Sequence, residues 1–160
     1  MQDSVEQNTV EQDGAMQDTA EQDPAIQAIS ALKAPSLEAM DTLTRQAFAN
    51  LPSEFRALCG DVIIHVTDFP TDEVLAEMAC ETPFDLLGLF SGIGLAQGAS
   101  VAETGQMPNT VHLYRRPILD YWAEHDETLG AIISHVLIHE IGHHFGLSDE
   151  DMEAIEAKAG

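Results

Sequence analysis

Basic side chains are scarce in this chain. Six Lys and Arg stand against 28 Asp and Glu, giving a formal net charge of -22 over 160 residues. A protein with so few cations lacks the basic face that phosphates demand, which argues against nucleic-acid binding and against docking on an anionic membrane surface. Cysteine is nearly missing too. Cys59 and Cys80 are too few for a disulfide framework and have no CxxC spacing, so both read as buried thiols acting as small apolar residues. Long hydrophobic runs are also wanting: the most apolar stretch, residues 84–96, is short and broken by Asp85 and three glycines, so nothing in it spans a bilayer. The start, Met1-Gln2-Asp3-Ser4-Val5-Glu6, has neither the positive charge nor the apolar run of a signal peptide, and cytoplasmic residence is the expectation.

What the chain does have is 44% apolar residues, enough for one domain with a real core. That core does not extend to residues 1–34. There Gln-Asp recurs at 2–3, 12–13, 17–18 and 22–23, and the first 24 residues hold seven acids and no Lys or Arg. So little apolar surface cannot offset ordering entropy, and the segment reads as a disordered acidic tail. The folded domain is expected over 35–160.

Within it, Ser36 is placed to cap a helix running to about residue 49, and Leu51-Pro52 ends it. The β-branched run Val62-Ile63-Ile64-His65-Val66 predicts a strand, followed by a helix over 71–79 from a Thr cap. Residues 83–92 suit a second strand, 105–109 a turn and 110–114 a third strand. A helix is expected to start near Pro117, since proline suits a first turn. The order implies an α+β domain with a short mixed sheet.

The chemistry lies in the stretch His135-Val136-Leu137-Ile138-His139-Glu140-Ile141-Gly142-His143-His144-Phe145-Gly146-Leu147-Ser148-Asp149. It holds HExxH at 139–143 and, extended, HExxHxxGxxD. Apolar residues on nearly every side of a helix over 127–145 predict that it runs through the middle of the domain. On a helix, positions i and i+4 lie about 40° apart, one turn up. His139 and His143 therefore offer two imidazoles to one point, as zinc favours. Glu140, about 100° round from His139, sits beside the metal, where it can take a proton from a water. Gly146 can adopt the left-handed turn that ends a helix and brings Asp149 back as a third, oxygen ligand. At this composition about 0.03 chance HExxH matches are expected in the chain. Adding Gly146 and an acid at 149 makes coincidence roughly a hundredfold rarer again.

Together with Gly105-Gln106-Met107-Pro108-Asn109 and Leu113-Tyr114-Arg115-Arg116-Pro117, the stretch from 136 to 152 resembles the minimal zincins, the zincin-like metallopeptidases of small bacterial single-domain proteins. That resemblance implies a short sheet over an active-site helix, one Zn2+ per chain held by His139, His143 and Asp149, and Glu140 as catalytic base. It implies a peptide or protein substrate, and suggests that the strand at 110–114 is an edge able to pair with an extended peptide. The alternatives are a non-catalytic zinc-binding regulatory or interaction protein and a hydrolase of non-peptide amides. Met152 reads as one turn of a final helix packing inward. His135 lies on the same side as His139, one turn earlier, and either touches the site or is a structural histidine. His65, His112 and His125 have no partner at ligand spacing, and His144 points away from His143. Tyr114, Arg115 and Arg116 are candidates for oxyanion stabilisation, or the arginines pair with carboxylates such as Asp120 and Glu124. Deleting residues 1–34 is expected to leave thermal unfolding of the remainder unchanged; a fall in midpoint of more than about 5 °C, roughly 1 kcal/mol at this size, would contradict the boundary.

Overall fold

The computed structural model describes residues 23–92 and 108–159. The repeats of residues 1–22 and the first three residues of the turn expected at 105–109 lie outside the described residues. The chain divides between Ala34 and Pro35 into two units. In the first, α1 (Pro24–Ser30) falls within the segment expected to form the tail. Asp23 caps it by accepting from the Ala25 N–H at 3.0 Å, Pro24 opens it, and none of its residues is buried. Local capping is enough to write one short helix there.

Among its described residues the second unit carries six helices and three strands in the order α2 (Leu37–Ala49), α3 (Ser53–Cys59), β1 (Val62–Thr67), α4 (Asp72–Glu77), β2 (Gly88–Ser91), β3 (Asn109–Tyr114), α5 (Arg115–Glu124), α6 (Leu129–His144) and α7 (Asp149–Ala159). This is an α+β fold. Hydroxyl caps start three of the helices, the first two as the sequence predicts. Ser36 accepts from Ala39, Thr71 from Val74 and Thr128 from Ala131, at 3.0, 3.2 and 3.1 Å. Helix α3 was not expected; it buries Phe55 and Cys59, one turn apart, against the core. β2 is shorter than expected. Asp85 accepts from the Glu81 and Thr82 N–H groups at 3.0 and 2.9 Å, and this side-chain turn claims the first part of the apolar stretch. Helix α5 begins two residues before Pro117, with the proline inside its first turn, where no N–H is needed.

The three strands form one mixed sheet in the order β1-β3-β2, with β1 parallel and β2 antiparallel to β3. The strand at 110–114 is therefore central, not an edge. Both of its sides already carry backbone partners, so it cannot accept a peptide; in the described sheet the edges are β1 and β2. Helix α6 packs on this sheet and against α2, α5 and α7. Neighbours on so many sides explain why Ile132, Ile133, Val136, Leu137, Ile138 and Ile141 are all buried. Among the described residues no helix is long and apolar enough to cross a membrane.

Two close approaches fix α6. Gly88 lets β2 come down on it: a Cβ there would meet Val136 Cγ1 at 2.8 Å and the His112 carbonyl at 3.0 Å. Gly142 admits Met152 of α7, whose Sδ would lie 2.5 Å from a Cβ at that position. Met152 is fully buried, so the final helix does pack inward as expected. Met152→Ala is expected to destabilise the protein by about 2–4 kcal/mol in urea unfolding, the cost of a cavity under the site helix; a loss below about 1 kcal/mol would show that α7 is not anchored there.

Candidate metal centre

Helix α6 presents His135, His139 and His143 at successive i+4 positions. The His135 and His139 ring centres are 3.9 Å apart, and those of His139 and His143 5.7 Å apart. The helix stops at Gly146, whose φ of +74° is the left-handed conformation glycine tolerates. There the Gly146 N–H donates to the His143 carbonyl and the Leu147 N–H to the Gly142 carbonyl, at 3.2 and 2.9 Å. This paired closure reverses the chain. Ser148 then caps α7: its hydroxyl accepts from the Asp151 N–H at 3.1 Å, and the Asp151 carboxylate accepts from the Ser148 N–H at 3.3 Å. Asp149 thus becomes the first residue of α7, where it is exposed.

Because α7 folds back along α6, Glu156, two turns beyond Asp149, arrives opposite the earlier imidazoles. Its Oε1 lies 2.5 Å from His135 Nδ1 and 3.3 Å from His139 Nε2. Among the described residues, the trio whose ligand atoms all lie within 4.8 Å of one another is His135, His139 and Glu156. His143 and Asp149 stand outside it, coupled to His139 by the ring contact and by charge. Sequence reading had placed His135 at the margin and had not noticed Glu156. The available signal was the seven-residue step from Asp149, which puts both acids on one helical face.

Electrostatics favour the ligand form. Burial, then the neighbouring His135, holds His139 below the usual imidazole range, with Glu156 pulling the other way. A neutral imidazole keeps the lone pair that a metal needs. His139 Nε2 and Glu156 Oε1 are buried, and His139 Nε2 has no hydrogen-bond partner. Nitrogen and carboxylate oxygen are donors zinc accepts, so these residues fit a zinc ion.

Glu140 points elsewhere. It lines a cleft of about 260 Å³ together with Asp85, Leu87, Tyr121, His135 and His139. Burial pushes its carboxyl up to about 7. Tyr114 is buried, and its hydroxyl is raised by that burial and by the Glu140 charge. The two arginines beside it turn away. Arg115 donates to the Pro35 carbonyl at 2.6 Å and to Asp68 at 3.0 Å, while Arg116 lies over the Phe69 ring. Arg115 does pair with a carboxylate, but with Asp68 on the loop after β1, because α5 starts against that loop.

The remaining candidates are structural. His65 and His112 stack across paired strands at 5.5 Å, His125 Nδ1 lies 2.7 Å from the Tyr121 carbonyl, and His144 packs on Phe90 at 4.4 Å. Cys59 and Cys80 are both free. Cys59 is buried, with its thiol raised to about 11, whereas Cys80 is half-buried.

A family model for zincin-like metallopeptidases matches residues 59–159, which takes in the whole sheet, helix α6 and helix α7. The chain belongs to the zincin-like metallopeptidase family. No curated protein matches it.

The raised Glu140 carboxyl has a thermodynamic consequence in chelator-treated protein. Burial disfavours the ionised form, so the penalty on the folded state is absent below the ordinary value of 4.5 and grows as pH rises towards about 7. Glu140→Gln is therefore expected to exceed wild type in stability at about pH 8, by on the order of 1–2 kcal/mol after allowance for partial exposure. The gap should close near pH 4. Urea unfolding at the two pH values checks this, and a gap independent of pH would contradict it.

Proposed function

We propose that the protein is a zinc-dependent peptidase whose metal is held by His139, His143 and Asp149, with Glu140 as general base. The observation that carries this reading is the placement of Glu140. A half-buried carboxyl next in sequence to a metal-facing imidazole lines an open cleft and is spared from the metal set. A purely structural zinc site has no use for such a group. A bound zinc ion supplies Lewis acidity, polarising a carbonyl and making a water acidic near neutral pH.

The residues of the chain supply the rest. Glu140 takes a proton from the attacking water and returns it to the leaving amine. A carboxyl near 7 is suited to both transfers, since it holds and gives up a proton at neutral pH. Tyr121, which lines the cleft with Glu140, is a neutral hydroxyl donor for a developing oxyanion. Leu86, Leu87, Ile132 and Val136 give the cleft apolar walls, which suit an apolar side chain beside the scissile bond. With β3 occupied on both sides, β2 is the strand next to α6 that has one side without a strand partner in the described sheet, and it is the place for an extended backbone.

Purified protein is expected to contain about one zinc per chain, lost in His139→Ala. Glu140→Gln is expected to keep the zinc while peptide cleavage falls by at least about 100-fold. Cleavage of a mixed peptide library by metal-loaded wild type and by Glu140→Gln tests this. Equal rates would remove Glu140 from the reaction, and no cleavage by wild type would favour a non-catalytic zinc-binding protein.

A further inference from the structure

Glu156 has no place in the triad above, yet its carboxylate sits against the imidazole that the triad needs most. Its distance from His139 Nε2, 3.3 Å, is informative. A charged N–H facing a carboxylate across a hydrogen bond closes to about 2.7–2.9 Å. Here the two atoms are buried and stand farther apart, and His139 Nε2 has no hydrogen-bond partner. Two ligands on one tetrahedral zinc, at ordinary Zn–N and Zn–O lengths, are separated by about 3.3–3.4 Å. The observed spacing is that of co-ligands.

His135 plays a different part. Its Nδ1 lies 2.5 Å from the same Glu156 oxygen, too close for two atoms on one zinc but in direct polar contact with the carboxylate. His135 therefore steadies the carboxylate. Support by a neighbouring polar group is the usual means of orienting a ligand.

We propose that Glu156 is a metal ligand in the substrate-free protein, oriented by His135, so that helix α7 contributes two carboxylates, Asp149 and Glu156, to one centre. This rests on the zinc reading above and adds to it. Two imidazoles and two carboxylates complete a tetrahedron, and Glu156 then fills the position that a catalytic site keeps for water or substrate. Of the two carboxylates, Asp149 follows directly on the glycine bend and the Ser148 cap, at the first residue of α7. Glu156 stands two turns farther along α7 and is the one free to leave when substrate enters the cleft beside Glu140.

The test is metal affinity by chelator competition, together with the visible spectrum of the cobalt-substituted protein, in wild type, Glu156→Gln, Glu156→Ala and His143→Ala. Glu156→Gln preserves shape, and circular dichroism verifies its fold. It is expected to weaken zinc binding by about 10–100-fold and to alter the cobalt bands. In Glu156→Ala, added acetate is expected to restore the wild-type cobalt spectrum by filling the vacated position. A purely structural glutamate would give no such rescue. If Glu156→Gln leaves affinity within twofold and the bands unchanged while His143→Ala loses the metal, the Glu156 proposal fails and the peptidase reading stands. If wild type binds neither zinc nor cobalt, both fall.

Discussion

Everything at this site depends on holding one helix still. Two imidazoles converge on an ion only if their helix neither rotates nor slides, and α6 is fixed by burial around most of its circumference. The same side chains that make it a core helix, from Ile132 to Ile141, exclude water from one side of His139 and Glu140. Stability and reactivity therefore have a common source: the burial that locks α6 also keeps His139 neutral and raises Glu140. A looser helix would lose both.

The second constraint is the reversal at Gly146. A helix ending there without a left-handed residue would carry α7 away from α6. The glycine closure and the Ser148 cap instead send the acidic helix back along the imidazole row. Acids in the first turn of α7 suit its positive end, so Asp149, Glu150 and Asp151 are well placed for helix formation as well as for chemistry. Met152, seated against Gly142, sets the register between the two helices. That register decides which acid meets which imidazole, and it brings Glu156 to His135 and His139.

Most of what is local was legible in the sequence. The helix caps at Ser36 and Thr71, the strand from Val62 and the bend at Gly146 each follow from a few adjacent residues, and the structure has them. The family was legible from the motif that α6 carries. What could not be read is non-local. Whether the strand at 110–114 is central or at an edge depends on which segments pair with it, and a strand can look alike in either place. The Arg115–Asp68 pair joins residues 47 apart in sequence. Glu156 was missed because its importance comes from a helix–helix register set by Met152 and Gly142. The shortening of β2 could have been foreseen, since Thr82 and Asp85 have the spacing of a side-chain turn.

The most direct measurement is a crystal structure of zinc-loaded protein with anomalous data collected on both sides of the zinc edge. The account requires one strong peak per chain, about 2.0–2.2 Å from nitrogens of His139 and His143 and from an Asp149 oxygen, with Glu140 near the ion but not bonded to it. A peak bound elsewhere, or bonded to Glu140 with Asp149 turned to solvent, would contradict it.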